Sequence, residues 1–384
     1  MKKRKKIIII ISISLICLLI FSFSSLFKKI LKEKAEREVI SLLEKPYEKD
    51  EDELKEEFNE VLKNIFISRN KSILNNDLKE LKSFYDTSKK SSLYAYYGEE
   101  KKIKYLNNWS KKQGAIFNDI KSKIEIKKIE KKEDNLYKII CAVSSDFTYY
   151  YLNDPLKSNI FTLGTYHYLN LKKDGNKYII TKEWYTDPFL DSLDLNNIKS
   201  EEIKSYILNR KNPNYTPDHR TKKAIDYAHT YCGKASKSKI GFDYNKNYTN
   251  FNPQGGDCAN FASQILFEGG GFKKNKEWNY IDGEGTKAWI NAGAFKNYMV
   301  KSGRASCLAK GKYSEVYKEA YNLRPGDFIA YEKNGRITHI STVTGLDSKG
   351  YPLVTCHNTD RLLVPFDLGW SNENIVFHLV DVYY

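Results

Sequence analysis

The sequence predicts an α+β protein, with two folded parts behind an apolar N-terminal segment. Three observations carry this. Residues 28–109 are rich in Glu, Lys, Leu and Ile, and their apolar positions step by three and four, as in Phe58, Val61, Leu62 and Ile65. Residues 116–189 change to β-branched and aromatic runs cut by turn residues. From about Tyr215 to the end, helical spacing comes first and strand-like runs follow.

Taken in order, MKKRKK precedes IIIIISISLICLLIFSFSSLF, Ile7 to Phe27, a run without charge. A membrane-crossing helix needs about 20 apolar residues, and a signal-peptide core only about 7–15. The run ends in SSLFKK with no small-x-small cleavage site. It is therefore expected to be an uncleaved single-pass signal-anchor over residues 1–28. The basic cluster Lys2–Lys6 stays in the cytoplasm and the rest lies outside the cell, bound to the membrane by that helix. Residues 29–205 then form helices followed by an antiparallel meander. Its strands are IEIKKIEKK, LYKIICAVSSDFTYYYL, FTLGTYHYLNLKK and KYIITKEWYTDPF, and KKDGNKYII marks a hairpin. By element order alone this part resembles nuclear-transport-factor-2-like domains, and His167 in its third run reads as a packed histidine. Residues 206–214 are a polar, Pro-containing linker, and residues 215–384 are the C-terminal domain. There TKKAIDYAHTYCG is a first helix ended by Gly233. The run after Cys258 is a second, and GTKAWINAGAFKNYMVKSG is a third with Trp289, Phe295 and Met299 inward. LRPGDFIAYE and RITHISTVTGLDSKGYPLVTCHNTDRLLVPF are strands.

The 384 residues carry a net charge of +15. Such an excess suits nucleic acid, an acidic membrane surface or an anionic wall polymer. The lysines are scattered among Glu with no nucleic-acid motif, so they read as solvated faces and nucleic acid is not an expected partner. Beyond Cys17 in the apolar run, Cys141, Cys232, Cys258, Cys307 and Cys356 are widely spaced with no C-x-x-C, so zinc and dithiol redox motifs are unsupported. An odd number outside the membrane leaves one thiol unpaired, and Cys258 is the candidate. The sequence leaves the pairing of the other four, and the oligomeric state, open.

Cys258 stands in NPQGGDCANFASQILFEGGGF. Gly255 and Gly256 break the preceding element, Asp257 is placed as an N-cap, and Phe261, Ala262, Ile265 and Leu266 recur at helical spacing. A thiol in a first helical turn faces free amide N–H groups and the positive end of the helix dipole, which favour the thiolate. Asp257 opposes this, so a base is needed. His339 in ITHISTVTG shares a strand face with Ser341 and Val343, while Cys356 and His357 in LVTCHN point to opposite faces. A cysteine on an early helix, a histidine on a strand and a polar residue on the next strand form the order needed for nucleophile, base and orienting group.

The blocks HRTKKAIDYAHTYCG, NKNYTNFNPQGGDCANFASQILFEGG, AWINAGAFKNYM, LRPGDFIAYEKNGRITHISTVTG and VTCHNTDR together resemble the family described as Putative amidase domain, similar to the NlpC/P60 branch of papain-like cysteine peptidases. The resemblance spans about residues 215–384. It implies a papain-like fold, helices packed on an antiparallel sheet, with Cys258 as nucleophile and His339 as general base. The third member is His357 by preference or Asn358, with Asp360 outside the first choice because Thr359-Asp360-Arg361 reads as a turn with a solvated pair. The start of the Cys258 helix, at Asp257 and Cys258, supplies oxyanion donors, with Tyr248 as a side-chain donor. Asn260 and Trp289 line the pocket. Lys287 and Ala288 depart from the small hydroxyl residues common before the tryptophan, which bears on substrate preference. The expected activity is hydrolysis of an amide in cell-wall peptide, with no metal or cofactor. Acyl transfer by the same residues and a non-catalytic wall- or partner-binding module are the alternatives.

Overall fold

A computed structural model describes residues 51–132, 135–189, 201–237, 244–370 and 374–384. The proposed anchor at Ile7–Phe27 lies outside these residues, and among them no helix is long and apolar enough to cross a membrane. The N-terminal part opens with α1 (Glu51–Asn75), α2 (Lys79–Lys82) and α3 (Lys90–Gln113). The three-four pattern of α1 buries Phe58, Leu62 and Ile65. Gly114 ends α3 at φ +66°, a left-handed position that suits glycine. The four strand-like runs become β1 (Ala115–Lys131), β2 (Leu136–Tyr151), β3 (Asp154–Asp174) and β4 (Lys177–Tyr185), each antiparallel to the one before. Buried His167 sits between Phe66 and Tyr185, and its Nδ1 meets Glu183 Oε1 at 2.9 Å.

Next come α4 (Glu201–Leu208), α5 (His219–Tyr231) and α6 (Cys258–Gln264), which continues as a wider π turn over Ile265–Gly269. A two-residue hairpin, β5 (Tyr280–Ile281) with β6 (Glu284–Gly285), precedes α7 (Lys287–Ile290) and α8 (Ala292–Lys301). These two replace the single third helix expected. Asn291 takes an extended backbone between them, and its side chain caps α8 by accepting from the Ala294 N–H. Then follow β7 (Ala305–Gly311), α9 (Tyr313–Val316), β8 (Phe328–Lys333), β9 (Arg336–Leu346), β10 (Pro352–Cys356), β11 (Asp360–Pro365) and β12 (Ile375–Val382).

The strands of the two parts form one sheet, ordered β1-β2-β3-β11-β10-β9-β8-β12-β7, with β4 also on β3. The joint is the pairing of Asp360, Arg361 and Leu362 with Gly164, Leu163 and Thr162. An open edge of β11 would leave N–H and C=O groups unpaired, and β3 satisfies them. One core spans the joint, including Phe58, Trp109 and Phe161 from one part and Tyr331, Val354 and Phe377 from the other. Two buried carboxylates stitch the parts together. Asp347 accepts from Tyr149 (2.9 Å) and Tyr151; Asp367 accepts from Trp109 Nε1 (3.1 Å), Tyr351 (2.8 Å) and Lys112. The expected linker is partly helical, since α4 runs to Leu208. It is also docked, with Asn212 Nδ2 donating to the Asp347 carbonyl at 2.8 Å. On the other face of β8, β9 and β12, residues Phe328, Ala330, Ile340 and Val380 pack against Cys258, Ala262, Trp289, Phe295 and Met299 of the helices.

Candidate functional site

Two glycines shape the approach to Cys258. Gly255 and Gly256 have φ +116° and +140°, and a Cβ on Gly256 would lie 2.2 Å from Asn358 Nδ2. Only glycine lets the β10–β11 turn come this close. Asn358 Oδ1 then accepts from the Asp257 N–H at 3.2 Å. Asp257 does occupy the residue before α6, but its side chain does not cap the helix. Its Oδ1 accepts from Phe251 N–H (2.9 Å) and Asn260 Nδ2 (2.9 Å), and its Oδ2 meets His357 Nδ1 at 2.6 Å. The buried carboxylate thus ties three chain segments together before the helix begins.

Cys258 is the first residue of α6 and is 6% exposed. Burial pushes its thiol up to about 12, with Cys356 and Asp257 adding to the rise; the Ile340 and Ala259 N–H groups offset part of it. The helix start was expected to favour the thiolate. Desolvation outweighs it, because α6 is a short helix with every residue buried. The Ile340 N–H belongs to the peptide joining Ile340 to His339, so the sulfur sits beside the backbone that carries the imidazole. Among the described residues no hydrogen bond joins the Cys258 and His339 side chains.

His339 is buried, its ring stacked on Trp370 (centroids 4.9 Å apart, 23°) with Tyr331 at 5.5 Å. Burial drives its pKa down to about 3, helped by Arg361 and His357, so the ring is neutral. Its Nε2 lies 3.3 Å from Cys356 Sγ. The group at that nitrogen is Cys356, where His357 or Asn358 was expected as the third member. Strand alternation is the reason. Pairing of Val354 with Val343 and Thr355 with Thr342 turns Cys356 toward the His339 face and His357 toward the helices.

His357 is instead a packed ring. Phe261 and Tyr244 sandwich it at 3.7 and 3.6 Å, nearly parallel, and its Nε2 donates to the Tyr231 carbonyl at 2.8 Å. With Asp257 on Nδ1, neither nitrogen is open to a reacting atom. Asp360 is buried rather than solvated and accepts from Lys234 N–H (2.7 Å) and Tyr244 Oη (2.6 Å). Arg361 turns inward, donating to the carbonyls of Leu368 (2.6 Å) and Pro188 (2.7 Å), so the expected solvated pair does not form. Asn260 and Trp289 belong to one buried network: Trp289 Nε1 donates to Asn260 Oδ1 (2.9 Å), and Asn260 Nδ2 also donates to the Thr249 carbonyl (3.0 Å). Tyr248 stacks over Trp289, but its hydroxyl donates to Glu268, so it is not placed as an oxyanion donor.

Sequence reasoning missed Cys356, Trp370 and Arg361. For Cys356 the signal was present in the same alternation that placed His339. Trp370 reaches the imidazole only through the fold after β11, and no local pattern marks it. Among the described residues all five cysteines are free, with Cys307 alone exposed, and no cluster of three or more His, Cys, Asp or Glu gathers as a metal site.

Comparison with known proteins adds three findings. The "Uncharacterized protein YjcM" of Bacillus subtilis (strain 168) is 32% identical over 153 residues, covering 37% of this chain and 34% of that protein. The chain thus spans about a third of the length of this curated relative. A solved structure, the intermembrane space region of the chloroplast protein ARC6, aligns with a TM-score of 0.23 at 11% identity, over 32% of this chain and 92% of that one. So low a score carries no weight for the fold. Residues 218–380, the stretch that holds Cys258, His339 and Cys356, match the family described as Putative amidase domain.

Proposed function

We propose that the chain is a membrane-anchored, exported cysteine amidohydrolase acting on an amide of cell-wall peptide. Cys258 is the nucleophile and His339 the general base. The observation that carries the reading is the placement of a thiol at a helix start, against the amide that follows a neutral histidine, inside the stretch that matches an amidase family. Both groups are uncharged at rest. The proton therefore passes from sulfur to the His339 ring as the sulfur attacks the carbonyl carbon. The S–C bond forms and the oxyanion is held by N–H groups at the start of α6. His339 returns the proton to the leaving nitrogen as the C–N bond breaks. It next takes a proton from water, which attacks the acyl carbon; the S–C bond then breaks and His339 returns that proton to the sulfur, restoring the thiol. The apolar run at Ile7–Phe27 supports the anchor, and the charge of +15 suits an anionic wall.

The test is mass spectrometry of soluble wall peptides after incubation with wild type, Cys258→Ala and His339→Ala proteins. Wild type is expected to produce fragments that have gained one water, and each variant to lose at least about a hundredfold in rate. Release at equal rates by all three would remove the reading.

A further inference from the structure

We propose that Cys356 is the positioning residue of the His339 imidazole, a thiol in the place where a carboxamide or second histidine was expected. The inference rests on the amidase reading for its catalytic meaning, but its structural content stands alone. Three contacts define the ring. Trp370 covers a face at 4.9 Å, Tyr331 closes in at 5.5 Å, and Cys356 Sγ meets Nε2 at 3.3 Å. The stacking contacts fix the ring plane but leave its half-turn flip free, which exchanges each ring nitrogen with a ring carbon. A partner on Nε2 is what selects one of the two flips.

The same thiol settles the tautomer. Cys356 Sγ also approaches the Thr359 carbonyl at 3.9 Å. That oxygen can only accept, and the thiol has one hydrogen. Both contacts are satisfied together only if S–H points to the Thr359 oxygen and Nε2–H donates to the sulfur. Nδ1 then keeps its lone pair, which is the form a general base requires. Burial holds Cys356 high, at about 11 with Arg361 and Ser341 offsetting part of the rise, so the S–H is intact at neutral pH. A thiol in this role is a weak hydrogen-bonding partner, and an amide in its place would hold the ring at least as well.

The experiment uses the full chain labelled with nitrogen-15 in its histidine rings, with His339→Gln to identify the His339 signals. Wild type is expected to show His339 as the Nε2–H tautomer. Cys356→Ala should move it to a mixture with Nδ1–H, and Cys356→Asn should restore Nε2–H through its side-chain oxygen. With wall peptides as substrate, Cys356→Ala should lower kcat at least about tenfold with KM nearly unchanged, and Cys356→Asn should recover it. Should Cys356→Ala not fold, Cys356→Val, which also removes the partner on Nε2, carries the same comparison. An Nδ1–H tautomer in wild type, or a tautomer and kcat unmoved by Cys356→Ala, overturns the proposal. Absence of any hydrolysis by wild type would instead strike the amidase reading, and the tautomer signals would still decide the role of Cys356.

Discussion

The resting charge state of the site can be measured through the reactivity of Cys258 toward iodoacetamide. An ion pair requires the thiol to titrate below the imidazole. Here burial places Cys258 at about 12 and His339 at about 3, the reverse order by about nine pH units. Moving the proton against that gap costs ~12 kcal/mol. Attraction between unit charges even as close as ~4 Å returns only ~4 kcal/mol at an effective dielectric constant of ~20. The neutral pair wins. Against the ordinary thiol value of 9.0, a value near 12 cuts the thiolate at pH 7 about a thousandfold. The exposed Cys307 should thus be alkylated well before the buried Cys258 at pH 7. The Cys258 rate should climb about tenfold per pH unit up to about pH 10 without a plateau. Peptide mass spectrometry of timed samples reads both sites in one tube. If Cys258 is labelled first, with a rate flat between pH 6 and 8, the site holds a thiolate–imidazolium pair and the desolvation argument is wrong.

Other consequences can be checked by equilibrium unfolding. Gly256→Ala forces a side chain onto a φ of +140° and into Asn358, so a loss above about 2 kcal/mol is expected in urea melts. Burial lowers His229 to about 4. The folded form resists a proton that the unfolded chain accepts below about 6.5, so this stability is whole above that pH and fades as pH falls toward 4. Between pH 7.5 and pH 5 the loss from this group is about 2 kcal/mol, and His229→Gln should lose that much less than wild type. Asp367→Ala leaves buried Lys112 without its carboxylate and should cost about 3–5 kcal/mol; a change below about 1 kcal/mol would count against the stitched joint. The isolated segment 215–384 bares the β11 edge and strips partners from Asp347 and Asp367. It should aggregate, whereas a cooperative melt matching the full chain would show that the shared sheet is not needed for folding.

Local pattern made a large part of this protein legible. Three-four spacing in α1 and β-branched runs for β1 to β4 are short-range signals, and both elements form where the spacing puts them. The two glycines, Asp257 and the helix start at Cys258 were legible for the same reason, since conformational limits on a few residues act locally. Alternation placed His339 with Ser341 and Val343, and the strand keeps that face. The break between α7 and α8 escaped notice because Asn291 is an ordinary helix-surface residue until its side chain finds the Ala294 N–H.

What the sequence by itself determined is the order of the elements and the residue types offered at each turn and strand. Which groups meet was decided only by the tertiary structure. The register between β9 and β10 gives Nε2 of His339 to Cys356, while the aromatic slot between Phe261 and Tyr244 takes His357. The edge pairing of β3 with β11 merges two apparent domains into one sheet. The physical reason is common to all three. Pairing partners and burial are set by contacts between separate elements rather than within one, and burial reverses the helix-start argument for the thiol by removing the water that a charge needs.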